Sequence, residues 1–334
     1  MAPSVGPMAI DHEGKQKAGG HGNGTYAFGS RPSSNQCAAA CEHAPAETKV
    51  GFIGTGVMGK SMAGHIQQAG YPLHVYTRTA AKAEALVKGG ALWHDTPGKL
   101  AAECDVIITM VGYPKDVEEI YLGENGLVAN AKPGSYLIDM TTSSPLLAAR
   151  IYEAAEAKGL HALDAPVSGG DIGARDGKLS IMVGGSSEAF EAVRPLFEQM
   201  GTNIVLQGKA GAGQHTKMCN QIAIASGMMG VCEALAYAKT SGLDAESVLK
   251  SIATGAAGSW SLSNLGPRMI AGDYEPGFYV KHFIKDMGIA LESAKAMGMK
   301  TPGLALAESL YQEISRNGLD EKGTQVLYTY YLQA

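Results

Sequence analysis

The sequence feature that most constrains this chain is a glycine-rich turn after a short apolar run. Residues 50–53 are apolar, Gly54-Thr-Gly-Val-Met-Gly59 follows, and a helical pattern then continues to Ala69. In such a turn the first glycine permits a sharp bend, the second lets a pyrophosphate approach the backbone, and the third lets the helix pack close to the strand. The first turn of the helix also offers free N–H groups and the positive end of its dipole. This stretch therefore predicts a strand, turn and helix that bind a dinucleotide.

The length and composition indicate a globular protein of two domains. The chain has 334 residues, more than one ordinary hydrophobic core needs. It is 45% hydrophobic and 18% charged with a net charge of −5, which favours neither nucleic acid nor a membrane surface as a partner. No apolar stretch approaches the roughly 20 residues of a membrane-spanning helix. We expect no nucleic acid and no membrane among its partners.

The cysteines and histidines form no metal-binding pattern along the sequence. The five cysteines include no C-x-x-C pair and no zinc spacing, and the nine histidines include no H-E-x-x-H motif. Cys104, Cys219 and Cys232 lie in apolar or helical surroundings, which favours small buried side chains. We therefore predict no metal site, no disulfide framework and a reducing compartment.

The first 47 residues differ from the rest of the chain. They are rich in Gly, Ser, Ala, Pro and Asn and show little hydrophobic periodicity, which predicts a disordered tail over residues 1–47. They lack the apolar segment of a secretory signal, and with Arg31 as their single arginine they lack the composition of a transit peptide. We predict a cytoplasmic protein, with an organelle as the alternative.

Strand and helix patterns alternate over residues 48–211. Such alternation predicts a mainly parallel sheet covered by helices on both faces, which is a Rossmann-type α/β domain. The apolar runs that we expect to form its strands are Val50–Ile53, Leu73–Thr77, Val106–Val111, Tyr136–Met140, His161–Ala165, Leu179–Val183 and Asn203–Leu206. The amphipathic stretches between them include Ala80–Lys88, Lys115–Tyr121, Leu146–Lys158 and Ser187–Gln199.

Residues 212–334 show helical patterns alone and predict an all-helical second domain. A long helix from Gln214 to about Ser241 would link it to the sheet domain, and the further helical stretches are Asp244–Ile252, Phe278–Met297 and Pro302–Asn317. Ligands of doubly wound folds bind outside the carboxyl ends of the strands, so we expect the active cleft between the two domains.

The end of the second predicted strand indicates which dinucleotide is bound. Enzymes that use NAD usually have Asp or Glu about 20 residues after the glycines, where it binds the ribose 2′-hydroxyl. This sequence has Arg78 and Thr79 there and no acid. Arg78 could pair with a 2′-phosphate and Thr79 could hydrogen-bond it, while an ordinary surface arginine is the alternative. We predict NADP(H), with NAD(H) as the second choice.

Two further stretches carry candidate substrate-binding groups. A predicted strand end leads into Ser168-Gly-Gly170, where N–H groups and one hydroxyl could hold a carboxylate; a plain turn is the alternative. On the long helix, Lys217 shares one face with Asn220 and Gln221. The apolar sequence around Lys217 favours burial, which would lower its pKa toward that of a general acid or base, whereas most helix lysines are solvated.

These motifs occur in the order found in the β-hydroxyacid dehydrogenases, which the chain resembles from about residue 48 to its end. The shared motifs are the glycine turn, Arg78-Thr79, Thr141-Thr142, Asp164–Gly170, the Lys217 segment and Lys285-Asp286. The resemblance implies a catalytic group in which Lys217 is the acid or base and Asn220 and Gln221 orient the carbonyl. The implied substrate-binding residues are Ser168, Gly169, Gly170, Phe278 and Asp286. The implied cofactor-binding residues are Gly54, Gly56, Val57, Met58, Gly59, Arg78, Thr79, Val111, Thr142 and Lys285.

In one place the sequence departs from the family pattern. Family members usually have two successive asparagines after the lysine, and here the second is Gln221. The extra methylene would move the amide by about a bond length, which bears on how the substrate is positioned.

The resemblance implies an oxidoreductase that interconverts a small β-hydroxyacid and its semialdehyde or 2-oxo acid. In reduction the nicotinamide would supply hydride and protonated Lys217 would give a proton to the carbonyl oxygen. An NADPH-dependent reductase is the leading hypothesis, an NAD-dependent 3-hydroxyisobutyrate dehydrogenase is the second, and a non-catalytic NADP-binding scaffold, which would be expected to lack the lysine, is the third. The expected substrate is a small carboxylate, and the resemblance implies a homodimer or homotetramer.

Overall fold

The computed structural model describes residues 45–332, so the predicted tail lies outside the described residues except for 45–47. Nine strands of this part of the chain form one sheet. They are β1 Val50–Ile53, β2 Leu73–Tyr76, β3 Leu92–Trp93, β4 Val106–Thr109, β5 Tyr136–Asp139, β6 His161–Asp164, β7 Val167–Ser168, β8 Leu179–Gly184 and β9 Gly201–Gly208. Their spatial order is β3-β2-β1-β4-β5-β6-β8-β7, with β9 beside β8.

The strand order places a ligand crevice next to β1. Strands β1 to β6 are parallel, and the chain runs outward from β1 through β2 to β3 before it returns to β4 on the other side of β1. At the far edge β8 is antiparallel to β6 and β7 and parallel to β9. Doubly wound sheets bind ligands where the strand order reverses, outside the carboxyl ends of the strands. The glycine turn follows β1 at this point.

Helices cover both faces of the sheet. They are α1 Gly59–Gln68, α2 Glu84–Lys88 (preceded by a 3-10 turn at Ala80–Ala83), α3 Pro97–Ala101, α4 Pro114–Leu122, α5 Leu127–Asn130, α6 Pro145–Glu156, α7 Gly170–Arg175 and α8 Ser187–Phe197. Neighbouring residues of β1 belong to two different cores: Phe52 packs in one with Met62, and Ile53 in the other with Leu100. The parallel strands are therefore buried on both faces, which explains their continuous apolar runs.

The rest of the described chain is helical and has its own hydrophobic core. Its elements are α9 Ala212–Thr240, α10 Ala245–Ile252, α11 Trp260–Ile270, α12 Val280–Ala296, α13 Pro302–Arg316 and a 3-10 segment at Thr324–Leu332. Leu235 of α9, Phe283 of α12 and Tyr311 of α13 are fully buried in this core. The predicted fold class, a Rossmann-type domain followed by helices that start with one long helix, is confirmed. The domain bounds 48–211 and 212–334 stay a prediction.

Some helices and strands could not be predicted from the sequence patterns, for physical reasons. Helix α11 contains Gly266 and Pro267, and both residues disfavour a helix interior. It forms because Leu262, Leu265 and Met269 are buried in the helical core, and this packing overrides the local preference. Strands β3 and β7 have two residues each, too few to show a strand period. Several predicted strands also extend one or two residues beyond the observed carboxyl ends, as for β4, which ends at Thr109.

The expectation that no apolar stretch is long enough to cross a membrane is wrong for α9. This helix has 29 residues, and an 18-residue window in it has a mean hydropathy of 1.2 with few charges. Length and composition would thus permit a membrane span. The core helix of a folded domain has the same composition, and half of this window is buried inside the protein.

Candidate active site

The turn after β1 has the three glycine environments of a dinucleotide-binding turn. Gly54 has a φ of +97°, and a side chain there would collide with the carbonyl oxygen of Met110. A side chain at Gly59 would collide with the carbonyl oxygen of Gly54, so α1 approaches β1 closely only without one. At Gly56 no atom of the described chain, sequence neighbours aside, lies within 4 Å of where a side chain would begin. The open backbone at Gly56 leaves room for a phosphate.

The same turn offers hydrogen-bond donors to an anion. The Thr55 hydroxyl is buried and has no hydrogen-bond partner among residues 45–332. Helix α1 starts at Gly59 without a side-chain cap, and the N–H groups of Lys60 and Ser61 in its first turn already donate to the carbonyls of Gly56 and Met58. Val57 is exposed and Met58 half-buried at this turn. These features fit the pyrophosphate of a dinucleotide, which these residues would hold.

Arg78 follows β2 and forms an ion pair that the sequence did not predict. Its Nη1 donates to Oδ1 of Asp116 at 3.1 Å, and the Arg78 side chain is 76% exposed. Asp116 lies in the first turn of α4, where its other oxygen accepts from the N–H of Tyr113 at 3.2 Å. Because β2 and β4 flank β1, the pair joins the loops on both sides of the glycine turn. Thr79 is exposed beside Arg78.

A buried polar network fixes the loops after β4 and β5. The carboxylate of Asp139 accepts from the Thr109 hydroxyl at 2.8 Å and from the N–H of Thr141 at 3.0 Å. The Thr141 hydroxyl in turn accepts from the N–H of Val111 at 3.0 Å. Burial raises the pKa of Asp139 to about 6, although these hydrogen bonds oppose the shift. The network holds Val111 and the Thr141-Thr142 connection in place. The sequence reveals Asp139 only as a residue of the predicted strand Tyr136–Met140.

A second buried carboxylate fixes the start of α9 against the sheet. Asp164, the last residue of β6, accepts from the N–H groups of Gly211 and Gln214, both at 2.7 Å. The Gln214 side chain donates to the carbonyl of Thr141 at 2.7 Å and accepts from the N–H of Ser143 at 2.9 Å. These bonds set the position of the whole helix and hence of the lysine one turn further along it.

Lys217 is buried at the point where α9 passes β7. Its side chain is 7% exposed, and its Nζ donates to the carbonyl oxygen of Val167 at 2.8 Å. Burial lowers the pKa of Lys217 to about 8, the nearby Asp286 opposes this shift, and Lys285 adds to it. An amine with this pKa can act as an acid or a base near neutral pH.

The two amides after the lysine have different surroundings. Asn220 accepts from the Ser168 hydroxyl at 3.4 Å, so it lies beside the predicted carboxylate anchor. Gln221 is 1% exposed, accepts from the Asn220 amide at 2.7 Å and donates to Asp286 at 2.6 Å. The longer side chain of Gln221 thus reaches α12, and it links Asn220 to Asp286.

Lys285 and Asp286 connect this network to the cofactor side. Lys285 Nζ donates to the carbonyl oxygen of Thr142 at 2.9 Å and pairs with Oδ1 of Asp286 at 2.9 Å. Both side chains are largely buried, with 13% and 3% exposure. With Lys217 the cluster holds two lysines and one carboxylate. When both lysines are protonated it carries a net positive charge, which suits an anionic substrate.

The predicted substrate turn begins α7. Ser168 ends β7, and Gly169 and Gly170 both have positive φ, +128° and +63°. These φ values favour glycine, because a side chain would strain the backbone there. The carbonyl oxygen of Gly277 lies 3.9 Å from where a side chain of Gly170 would begin, so the half-buried Phe278 is next to this turn. The roles of these residues stay predictions.

The fold and the site are those of a dinucleotide-binding protein, and the lysine of the site is buried. Residues 49–208 match the family described as "NAD binding domain of 6-phosphogluconate dehydrogenase". Residues 211–331 match the family described as "NAD-binding of NADP-dependent 3-hydroxyisobutyrate dehydrogenase".

Full-length relatives agree with both matches. The chain is 67% identical to "Uncharacterized oxidoreductase YkwC" of Bacillus subtilis, over 84% of this chain and 97% of that protein. It is 48% identical to "Probable 3-hydroxyisobutyrate dehydrogenase-like 1, mitochondrial" of Arabidopsis thaliana, over 85% of each. The solved structure of Mycobacterium tuberculosis 3-hydroxyisobutyrate dehydrogenase with L-serine superimposes with a TM-score of 0.79 at 29% identity, over 86% of this chain and 99% of that one.

This chain belongs to the β-hydroxyacid dehydrogenase family, whose members are NAD(P)-dependent oxidoreductases that act on CH–OH groups. The predicted family and the predicted nicotinamide dinucleotide cofactor are confirmed.

Proposed function

We propose that this chain is an NADPH-dependent reductase of a small carbonyl acid, a semialdehyde or 2-oxo acid, with Lys217 as its acid/base group. The observation that carries the proposal is the buried amine of Lys217, whose pKa of about 8 results from burial. It bonds to Val167, the residue before Ser168, and the charges of Lys285 and Asp286 act on it. A non-catalytic scaffold would have no use for a desolvated lysine, which is unfavourable to bury.

The charges of the site support an anionic substrate. The Ser168 hydroxyl and the N–H groups of the following glycines can bind a carboxylate, and the two lysines supply positive charge close by. Asn220 is hydrogen-bonded to Ser168, so one amide lies beside the anchor and can orient the carbonyl. The mycobacterial relative was solved with L-serine, which has a carboxylate and a β-hydroxyl, and this is the chemistry that we propose for the substrate of this chain.

The proton is handled by Lys217. A bound nicotinamide supplies the hydride chemistry. Below a pH of about 8 the lysine is mostly protonated, so its Nζ can donate to the substrate carbonyl oxygen and release a proton as negative charge develops there. Above that pH it is mostly neutral and can take the proton of a hydroxyl in the oxidative direction. The carbonyl of Val167, at 2.8 Å, holds the amine in position.

The preference for NADPH rests on Arg78. Its guanidinium is exposed at the end of β2, and the bond to Asp116 engages Nη1, so a 2′-phosphate could pair with the remaining donors. The Asp116 carboxylate also brings a negative charge to the same place. This observation favours an NAD-dependent 3-hydroxyisobutyrate dehydrogenase as the second candidate, because a carboxylate at this end of the sheet can accept from a ribose hydroxyl.

We further propose that the chain forms a homodimer or homotetramer and works in the cytoplasm, without nucleic acid or membrane partners. Large apolar side chains on the helical part support self-association, since Tyr237 is 74% and Trp260 62% exposed. Light scattering coupled to size-exclusion chromatography gives the number of subunits, and a monomer at micromolar concentration would contradict this proposal.

The test of function is oxidation of NADPH and of NADH with four carbonyl acids: glyoxylate, succinic semialdehyde, tartronate semialdehyde and methylmalonate semialdehyde. Strong NADPH-linked turnover of one of them supports the reductase. Turnover linked mainly to NADH supports the second candidate. Binding of NADPH without turnover of any compound would contradict both.

A further inference from the structure

Three metal-ligating side chains meet at the β3 edge of the sheet. His74 is the second residue of β2, His94 directly follows β3, and Glu103 follows α3. His74 Nδ1 lies 2.8 Å from His94 Nε2 and 3.8 Å from Glu103 Oε2, and the three ligand atoms lie within 4.8 Å of one another. None of them belongs to the proposed active site. We propose that His74, His94 and Glu103 bind a divalent transition-metal ion, with Zn²⁺ as the representative ion.

Backbone pairing brings these residues together. His74 pairs with Leu92 across the β2–β3 ladder, and the N–H of His94 donates to the carbonyl of Val75 at 3.0 Å, which continues this pairing. The turn that carries Glu103 is held by a bond from Lys132 Nζ to the Glu103 carbonyl at 3.2 Å. The ligands therefore come from three separate chain segments whose backbones are fixed without a metal.

The geometry of the two rings suits the exchange of a proton for a metal ion. Their planes differ by 18° and their centroids are 5.0 Å apart, so the rings lie edge to edge with one nitrogen facing the other. One proton between the nitrogens accounts for the 2.8 Å separation. Two nitrogens bound tetrahedrally to zinc at about 2.0–2.1 Å lie about 3.3 Å apart. The pair must therefore open by roughly half an ångström when a metal ion replaces the proton.

Two of the three ligands are exposed enough to move when the pair of nitrogens opens. His74 is 2% exposed and fixed within the sheet, whereas His94 is half-buried and the Glu103 side chain is 54% exposed. The metal would thus be held by one rigid ligand and two that can move, and water could complete the coordination on the exposed side.

The ligand set selects the kind of ion. Two imidazoles and a carboxylate suit zinc, cobalt, nickel and copper, whereas magnesium and calcium require oxygen ligands. The positively charged side chains of Lys49 and Lys132 act electrostatically on His74, so they would oppose the binding of a metal ion. Asp105 adds a negative charge nearby: it pairs with Lys132 Nζ at 2.7 Å, and its other oxygen accepts from the backbone N–H of Lys49 at 2.9 Å. With Glu103, the local charges then balance.

The bound ion would fasten an otherwise weakly held edge. Strand β3 has two residues, and among the strands of residues 45–332 it pairs only with β2. A metal held by His74, His94 and Glu103 would join β2, the end of β3 and the turn after α3. We therefore expect a stabilising role in which the folded protein gains the binding energy of the ion.

The experiment is Zn²⁺ titration of the chelator-treated full chain by isothermal calorimetry, with the melting temperature recorded with and without Zn²⁺. His94→Ala and Glu103→Gln change the two more accessible ligands and leave the buried His74 in place. The matched control is His161→Ala, an exposed histidine at the start of β6. The sequence also has His12, His21 and His43 before the described residues, and these are further ligands for Zn²⁺. The site is therefore measured as the difference in Zn²⁺ binding between the wild type and the variants.

We expect the wild type and His161→Ala to bind one equivalent of Zn²⁺ that His94→Ala loses. Glu103→Gln should bind that equivalent about tenfold or more weakly. Zn²⁺ should raise the melting temperature of the wild type more than that of His94→Ala. Equal stoichiometry and affinity in all four proteins, with melting temperatures of the metal-free variants close to that of the wild type, would overturn the proposal. A wild type that binds no more Zn²⁺ than His94→Ala would also overturn the proposal.

Discussion

In the proposed function the glycine turn binds the cofactor and the lysine network binds the substrate, and the two regions are specified over very different distances along the chain. The turn is contained in residues 54–59, and a side chain at Gly54 or Gly59 would collide with backbone within or beside the turn. The lysine network joins β7, α9, α12 and the connection after β5, with 50 residues between Lys217 and Val167 and 143 between Lys285 and Thr142. A local backbone motif can therefore be recognised from its letters, whereas a side-chain network needs the fold to bring its members together.

The largest effect should come from Lys217→Ala. Removing the acid/base group should lower kcat by about 10²–10⁴-fold, because a positioned general acid contributes that much. NADPH affinity, measured by fluorescence titration, should change little, since the Lys217 amine bonds to Val167 and not to the glycine turn. Lys209→Ala, at an exposed position just before the same helix, is the control and should keep full activity. Equal loss of turnover and of NADPH binding would contradict the separation of the two regions.

The second test probes the cofactor side by comparing Gly56→Ala with Gly64→Ala. The structure leaves open space at both glycines, so neither methyl group should disturb the protein itself. Only at Gly56 should a methyl group meet the pyrophosphate, and a displacement of this kind costs about tenfold to hundredfold. We expect weaker NADPH binding for Gly56→Ala alone, with melting temperatures no lower than that of the wild type for both variants, since alanine favours a helix more than glycine does at Gly64. Similar NADPH affinities for the two variants would show that the pyrophosphate does not lie next to Gly56.

A smaller effect is expected at Arg78, which decides between NADPH and NADH in the proposed function. Arg78→Ala should raise the KM for NADPH about tenfold and leave that for NADH nearly unchanged, because charge-assisted bonds to a 2′-phosphate are lost. Asp116→Asn removes the competing charge and keeps an acceptor for the N–H of Tyr113, so it should increase the ratio of kcat/KM for NADPH to that for NADH. Glu118→Gln, on the same helix and paired with Arg150, is the matched control. Equal effects of Arg78→Ala on both cofactors would rule out the 2′-phosphate contact.

The smallest effect is a pH shift. Asp286 raises the pKa of Lys217 and so partly offsets the lowering by burial. In Asp286→Asn this opposition is lost, so the pKa of Lys217 should fall below about 8. Reduction requires the protonated amine, and its rate declines as pH rises through that pKa; the decline should therefore begin at a lower pH in the variant. The pH profile of kcat/KM measures this, and an unshifted profile would show that the carboxylate does not act on the lysine.

Much of the fold could be predicted because its signals are local. The apolar runs of the parallel strands and the helical patterns between them are visible in the letters, since each strand is buried on both faces. Helix α11 could not be predicted, because Gly266 and Pro267 contradict it locally and only burial of its apolar face overrides them. The expectation that no apolar stretch is long enough to cross a membrane was wrong for α9, because the apolar composition of this helix reflects its packing inside the protein.

In the candidate site, too, some residues could be found from the local sequence and others could not. Gly54, Gly56 and Gly59 could be found from the sequence because each acts through the backbone at its own position. The partner of Arg78 could not, since Asp116 is 38 residues away, and neither could the His74, His94 and Glu103 cluster, which lacks any metal-ligand spacing. The sequence by itself determined the nucleotide-binding turn, the element order and the presence of a lysine on the long helix. Only the tertiary structure decided that this lysine is buried beside Val167 and Asp286, because desolvation depends on what packs around a group rather than on its neighbours in the chain.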